Sequence, residues 1–318
     1  MDSEDKSIID QSIASNGACG EDLKKLSVKL GARLQTIASF VPFGSKVGDI
    51  GTDHAYLPLF LIQQGIIREA VGIDVHQGPY ISAMENVNAY GLQNVLRIRH
   101  GDGLIPLVPG EVDTLVIAGM GGVTMLEILA SKPEVLQRID TLILQPQGAE
   151  SRVRNVLLSQ GWRLKQECLV EEDDRIYTVI QFSRSEGHDR NDIEERTRQI
   201  VQKIMAYHCD MDSAVEEKKD TMTPTAAGRG ETSTVSEDAK ERIALYERMM
   251  AQLIWQIGPL IVERKEALIC GILDETSTNL KRVVLEMTRT DRAQVTAKAT
   301  QMKKEIAMVE VMKTWLYR

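Results

Sequence analysis

Between residues 46 and 183 short apolar runs alternate with stretches whose apolar residues recur every three or four positions. The first run, near 46–50, breaks at Gly51 and passes into an apolar-periodic segment over 57–62. Further strands are predicted at 70–74, 96–100, 114–118 and 141–145, with helices at 79–90, 123–130 and 150–160 between or after them. Strands alternating with helices in this way predict a parallel, doubly wound sheet. Two more runs, 162–170 and 177–182, read as a closing antiparallel pair around Glu171-Glu172-Asp173-Asp174. Upstream, Leu26, Leu30, Leu34, Ile37 and Phe40 fall at helical spacing, which predicts one amphipathic helix over 23–41, ended by Pro42-Phe43-Gly44.

Beyond residue 183 the pattern turns helical, over 190–220 and 236–257. The stretch between them, 221–236, is rich in Thr, Gly and Ser around Pro224 and reads as a flexible linker. Residues 279–316 are predicted as one long helix, with Met302, Ile306, Val309 and Leu316 at coiled-coil-like spacing. A helical hairpin packed on itself is preferred there to a dimerising coil. The chain therefore divides into a polar lead-in (1–21), an α/β domain (22–184) and a helical domain (185–318).

At 318 residues, 43% hydrophobic and 26% charged, the composition is that of an ordinary globular protein. No apolar run reaches the ~18 residues of a membrane span, and the acidic Met1-Asp2-Ser3-Glu4-Asp5 start shows no secretory signal. Cys19, Cys168, Cys209 and Cys270 form no Cys-x-x-Cys pair, so neither a metal site nor a disulfide framework is expected, and they read as thiols of a reducing cytoplasm. The net charge of -8 argues against a nucleic-acid binder, but residues 259–318 reverse it, with eleven basic and eight acidic groups. That excess reads either as a solvated helix face or as a phosphate-contacting patch.

Ligands of open α/β sheets sit beyond the C-terminal ends of the strands. There the sequence places Asp49-Ile50-Gly51 after the first strand, Asp74 after the second and Gly101-Asp102-Gly103 after the third. Gly51 lets a ligand approach the backbone. A carboxylate at Asp74 suits the two hydroxyls of a ribose, and Asp102 an adenine amino group; each acid also reads as a helix N-cap. The Gly-x-Gly-x-x-Gly spacing of dinucleotide sites is absent, and Asp49 and Asp53 would repel a pyrophosphate. A cationic, phosphate-free nucleoside fits better, and S-adenosyl-L-methionine is the expected cofactor. Gly119-Met120-Gly121-Gly122 after the fourth strand lets backbone carbonyls reach a base, or only eases packing at a helix entry. Tyr56 and Tyr80 read as pocket aromatics or as core, and His54 as a late proton acceptor or a residue capping the turn.

Several motifs occur here in order: Asp49-Ile50-Gly51-Thr52-Asp53-His54-Ala55-Tyr56-Leu57-Pro58, Gly78-Pro79-Tyr80, Gly101-Asp102-Gly103-Leu104, Ile117-Ala118-Gly119-Met120-Gly121-Gly122 and Leu144-Gln145-Pro146. In these the chain resembles the bacterial tRNA (adenine-22-N1)-methyltransferase family, from about residue 30 to 182 and more weakly from Gly258-Pro259 to the C-terminus. One departure stands out: the family has Asn after Gln-Pro, and this chain has Gln147. The resemblance implies a class I methyltransferase, with a Rossmann-like doubly wound sheet and a C-terminal helical, coiled-coil-like domain. It implies methyl transfer to N1 of an adenine in the D-arm of tRNA, at position 22. On this view Asp49, Gly51, Asp53, His54, Asp74, Asp102, Gly103 and Ala118 hold the cofactor. Gly119, Met120, Gly121, Gln145 and Pro146 surround the reacting atoms, and Tyr56, Tyr80, Gln147, Arg282, Lys303 and Lys304 contact the substrate. The expected protein is a cytoplasmic monomer whose partner is tRNA, with no membrane association. Two other readings stay open: a methyltransferase of another RNA, a small molecule or a protein, and a non-enzymatic RNA-binding protein that retains a nucleoside site.

Overall fold

The computed structural model describes residues 27–219, 237–287 and 293–317. Five parallel strands form the body of one sheet: β1 (Lys46–Ile50), β2 (Glu69–Asp74), β3 (Leu96–His100), β4 (Thr114–Met120) and β5 (Thr141–Pro146). A hairpin of β6 (Arg163–Glu172) and β7 (Arg175–Ser183) completes it antiparallel, in the order β3-β2-β1-β4-β5-β7-β6. The order reverses between β1 and β4, and a crevice opens there beyond the strand ends. The register aligns those ends, since Ile50 pairs with both Ile73 and Ile117, and Ala118 with Gln145.

β5 is buried along its whole length, as a central parallel strand must be. The β6–β7 turn has two central residues, Asp173 and Asp174, with φ of 51° and 57°. A two-residue turn with both residues left-handed matches the twist of its strands, and Asp tolerates that conformation.

Helices α1 (Ala32–Phe40), α2 (Tyr56–Gln63), α3 (Gln77–Ala89), α4 (Gly122–Ala130), α5 (Pro133–Leu136) and α6 (Glu150–Ser159) cover the sheet. In α2, Pro58 lies in the first turn, where its missing N–H leaves no helical bond unmade. One apolar core, including Leu115, Ile117, Leu142 and Trp162, fills one face; a second, including Ile37, Leu59, Val116 and Ile143, fills the other.

Three sequence expectations change. The helix predicted over 23–41 begins only at Ala32: Gly31 before it is extended, and the Val28 N–H is tied elsewhere, donating to Gln63 Oε1 at 3.1 Å. Residues 23–26 of that prediction lie outside the described set, as do the lead-in and the 221–236 linker. The single helix predicted over 279–316 is two, α10 (Ile269–Met287) and α11 (Ala293–Leu316), packed as a hairpin. The buried seam of α11 runs through Ala299, Met308, Val309 and Met312, while Met302, Ile306 and Leu316 are half-buried. The fourth strand continues past Ala118 to Met120 through a bulge, so Gly119 belongs to the strand and not to the helix entry.

The remaining helices are α7 (Arg190–Lys219), α8 (Glu237–Ile257) and α9 (Pro259–Glu263). With α10 and α11 they share a third core, including Ile204, Ile254, Leu273 and Met312, that also takes in Leu169 of β6. No helix among the described residues is long and apolar enough to cross a membrane. Cys168 and Cys270 are free thiols.

The joint between sheet and helices is a fully buried ion pair. Arg154 of α6 donates from Nε to Glu167 Oε2 of β6 at 2.7 Å. Its other nitrogens donate to the carbonyls of Trp255, Gln256 and Ile257, which end α8 without helical partners. Glu167 Oε1 in turn accepts from the Leu260 N–H in the first turn of α9. Gly258 links the two helices at φ 135°, and a Cβ there would stand 2.7 Å from Glu167 and 2.8 Å from Arg154.

Removing one member leaves the other charged, buried and alone, which costs about 3–5 kcal/mol. Arg154→Met is therefore expected to lose about that much in chemical denaturation. Arg154→Met combined with Glu167→Met should lose less than Arg154→Met by itself; an equal or larger loss would show that the pairing is not what the joint depends on.

Candidate functional site

The crevice at the strand ends holds a cavity of about 570 Å³. Its walls come from the turn after β1 (Asp49–His54 with Tyr56 and Leu57), the end of β2 (Ile73–His76), the turn after β3 (Gly101–Gly103) and the bulge of β4 (Ala118–Met120). Arg33 and Leu34 of α1, and Thr124 and Ile128 of α4, close the sides. A larger cleft of about 1060 Å³ lies between α7 and α8 and is lined by those two helices alone. No turn or strand end opens into it, so the strand-end crevice is where functional groups converge.

Two non-glycine residues within three positions, Asp53 (φ 50°) and Ala55 (φ 59°), take the left-handed conformation in the turn after β1. Each costs on the order of 1 kcal/mol, and such strain persists only where surrounding bonds fix it. Here they are visible. The Asp53 N–H donates to Asp74 Oδ2 at 3.1 Å, and the Gly51 and Thr52 N–H groups donate to the Ile73 carbonyl. Gly51 itself sits at φ 74°, and a Cβ there would lie 2.3 Å from Met120 Cε. Any other residue would both strain the turn and fill the crevice.

Asp74 is 6% exposed. Each of its oxygens accepts one backbone N–H, from Asp53 and from His76 (2.9 Å), and each keeps a second lone pair. None of Asp49, Asp74 and Asp102 is a helix N-cap: Ala55 and His76 hold that position after β1 and β2, and no helix stands between β3 and β4. Asp49 is buried, and Thr52 Oγ1 donates to its Oδ2 at 2.7 Å. Burial pushes its carboxyl up to about 6; the Thr52 bond opposes this, and the nearby Asp74 and Asp53 charges add to it. A cation entering the cavity would relieve that cost. The His54 ring stacks on Tyr56 at 5.5 Å, with Nε2 3.6 Å from Asp53 Oδ1; both rings are nearly half exposed at the cavity wall.

Of the sequence candidates, Asp49, Gly51, Asp53, His54, Tyr56, Asp74, Asp102, Gly103, Ala118, Gly119 and Met120 line the cavity together. Tyr80 does not; its ring tilts against His100 at 5.5 Å. Gln145 and Pro146 are buried behind the wall, and Gln147 is exposed outside it. Gly121 is extended, at φ -60°, and a Cβ there would meet only Thr124 Oγ1 at 3.9 Å, so its smallness is not required. The conformational demand falls on Gly119 (φ 76°), and the packing demand on Gly122, whose Cβ would press on the Gly148 carbonyl at 2.7 Å. Arg282 and Lys303 are exposed on the α10–α11 hairpin with Lys304 half-buried beside them, and none of the three lines the cavity.

Arg33, Thr124 and Ile128 carry no signal in the sequence, and Leu34 enters it only as an apolar helix position, not as part of a site. They come from helices whose facing depends on tertiary packing, and an Arg at the start of an amphipathic helix carries no local signal.

A methyltransferase-domain family model matches residues 30–180. Over 153 residues, 48% of this chain and 64% of the relative, the sequence is 37% identical to the tRNA (adenine(22)-N(1))-methyltransferase of Bacillus subtilis. The match thus spans less than two thirds of that relative's length. A putative tRNA methyltransferase of Mycoplasma pneumoniae is 30% identical over 175 residues, 52% of this chain and 76% of that protein. Among solved structures, the B. subtilis M1A22 tRNA methyltransferase TrmK superposes with a TM-score of 0.65 at 24% identity, covering 90% of this chain and all of the other. Streptococcus pneumoniae Sp1610, described as a putative tRNA (m1A22) methyltransferase in complex with S-adenosyl-L-methionine, gives 0.62 at 23%, covering 89% and all of that chain.

Asp49 sets a pH signature. Its folded-state carboxyl titrates near 6 and its unfolded one near 3.8, so the native state holds the extra proton between those values and stability falls as pH rises through that window. Asp49→Asn keeps the Thr52 bond and removes the charge. It is expected to stabilise the unliganded protein at pH 7 by on the order of 2 kcal/mol, with the gain vanishing near pH 4. Denaturation midpoints that respond equally to pH in both proteins would refute the assignment.

Proposed function

We propose that this chain, which belongs to the tRNA (adenine-22-N1)-methyltransferase family, transfers a methyl group from S-adenosyl-L-methionine to N1 of adenine 22 in the D-arm of tRNA. The carrying observation is the cavity's charge. Its wall bears the carboxylates Asp49, Asp53, Asp74 and Asp102 and a single Lys or Arg, Arg33. That suits a nucleoside with an ammonium and a sulfonium and repels a pyrophosphate. The left-over lone pairs of Asp74 suit a ribose diol, and Gly51, having no Cβ, leaves the crevice beside Met120 open. The residues present therefore fit the cofactor, which when bound supplies an electrophilic methyl group on sulfur.

The chain's own work is then positional. N1 of adenine already carries a lone pair, so a strong general base is not needed for the attack. The base must instead leave its stack and present its Watson–Crick edge. Ala118, Gly119 and Met120 supply the wall nearest the strand-order reversal, where bare backbone can stand against the base edge. Tyr56 and His54, stacked at the same cavity, offer an aromatic surface for the extruded or a flanking base. Residues 185–318 are read as the RNA-binding part, with Arg282, Lys303 and Lys304 on phosphates, and the protein as a cytoplasmic monomer. Since α7 to α11 share a core with β6, they are a fixed part of the body and not a detachable module.

The deciding assay is nucleoside mass spectrometry of tRNA after incubation with protein and S-adenosyl-L-methionine; no 1-methyladenosine would end the proposal, and a different methylated product would redirect it to another substrate. Within that assay Gly119→Val is expected to lose about 10²-fold or more in turnover, as misplacement by about 1 Å does, while Gly121→Val stays close to wild type. The reverse order would remove Gly119 from the site.

Electrostatic RNA binding gives a separate test. Affinity for tRNA should fall with salt as counterions are released. Lys303→Glu with Lys304→Glu should weaken binding at low salt and flatten that slope, with cofactor affinity unchanged. An unaltered slope would take α11 out of the RNA contact.

A further inference from the structure

Gln145 is a polar side chain at the end of β5 with no exposed surface at all. Its Oε1 accepts two hydrogen bonds, from Arg33 Nη1 at 3.0 Å and from the Gly119 N–H at 3.1 Å, and its Nε2 donates to the Pro146 carbonyl at 3.1 Å. Those partners fix which way the amide faces. Turned over, Nε2 would confront two donors, an arrangement that leaves all of them unsatisfied.

Arg33 is held as firmly. Its Nε lies 3.5 Å from Glu172 Oε2, its backbone N–H donates to Glu172 Oε1 at 3.0 Å, and its guanidinium sits 5.6 Å from the centre of the Tyr177 ring. The β6–β7 hairpin thus anchors Arg33, Arg33 orients Gln145, and Gln145 holds the Gly119 peptide.

That peptide is where β4 bulges. The Ala118–Gly119 peptide bond is trans, so the N–H and the preceding carbonyl point in opposite directions. With the Gly119 N–H turned toward β5 and Gln145, the Ala118 carbonyl turns toward the β1 side. β1 has already ended there, since its last partner in β4 is Ile117. Ala118, Gly119 and Gly51 all line the cavity at this point.

We propose that Arg33 is a positioning residue: through Gln145 it sets the Gly119 peptide and so aims the Ala118 carbonyl into the cavity, as the acceptor for the exocyclic amine of the target base. This rests on the methyltransferase reading above and adds to it the element that registers the base. A base bearing an amine beside the reacting nitrogen is distinguished from one bearing a carbonyl there, because a carbonyl oxygen facing Ala118 would leave two acceptors opposed.

The test is a double-mutant cycle on the full chain with two readouts. Arg33→Met and Gln145→Met should each lower kcat about 10²-fold, with KM for tRNA and cofactor affinity by calorimetry within about threefold of wild type. Combined, they should lose no more than either alone, because the two act in series. Gln145→Glu keeps an acceptor between the two donors and should stay within about tenfold of wild type. Arg33→Lys, which keeps the charge beside Glu172 but not the planar fork, should fall in between. Independently of activity, hydrogen exchange at the Gly119 amide should speed at least about tenfold in Arg33→Met and Arg33→Lys, while Val116 and Ile117 are unchanged. Additive losses, a loss seated in cofactor affinity, or an unmoved Gly119 amide would each overturn the relay. Wild-type protein that makes no methylated adenine would defeat the functional reading instead, and the exchange measurement would still decide whether Arg33 holds Gly119.

Discussion

The pairing of Arg154 with Glu167 organises the molecule because each partner carries more than the other's charge. A buried ion pair by itself is weak evidence of stability, since desolvation offsets much of the attraction. Here the guanidinium also gathers three carbonyls at the end of α8, and the carboxylate also takes the Leu260 N–H at the start of α9. Two helix ends, with their opposite partial charges, meet the two opposite side-chain charges. The break between α8 and α9 at Gly258 needs a residue without a Cβ, since one there would press on both Glu167 and Arg154. That contact thereby ties the helical part to the sheet, and α7, α10 and α11 pack in the same core as α8 and α9.

At the other end of the sheet the logic is reversed. Asp49 is buried without a cationic partner of its own, Asp53 and Ala55 hold strained backbone, and Asp74 spends half its accepting capacity on the turn that surrounds it. The first two features weaken the empty protein, and the Asp74 bonds hold the strained turn in place. Together they make a wall preorganised for a cation and a diol, which is the usual place for a protein to accept instability. The cavity's cation, Arg33, is balanced by Glu172 from outside the wall and does not neutralise the acids.

Much of this was legible in the sequence because it is local. Alternating periodicities gave all seven strands and most helices, and the acids at three strand ends, Asp49, Asp74 and Asp102, do converge. What was illegible depends on partners far along the chain. Residues 27–31 have helical spacing, yet bonds to Gln63 and the Glu172 carboxylate stop the helix at Ala32. Gly119 and Gly121 look equivalent in a run of glycines, and only the bulge, a matter of β4 against β5, tells them apart. Arg33 and Gln145 are 112 residues apart, and neither has a motif that names the other.

The position of the hairpin carries one more consequence. Because β7 inserts between β5 and β6, the sheet ends on β6, a ten-residue strand whose outer N–H and carbonyl groups face away from every other strand. Such a margin invites pairing with a second chain. Here Leu164 bridges to His188 just before α7, the Leu169 N–H is taken by Glu266 at 2.9 Å, and the Glu167 carbonyl by Arg264. The segment that leads into α7 and the turn that follows α9 thus seal the open border of the sheet. A chain cut after β7 would lose more than its helical part: it would expose an adhesive ribbon, and self-association would compete with folding as each molecule emerged.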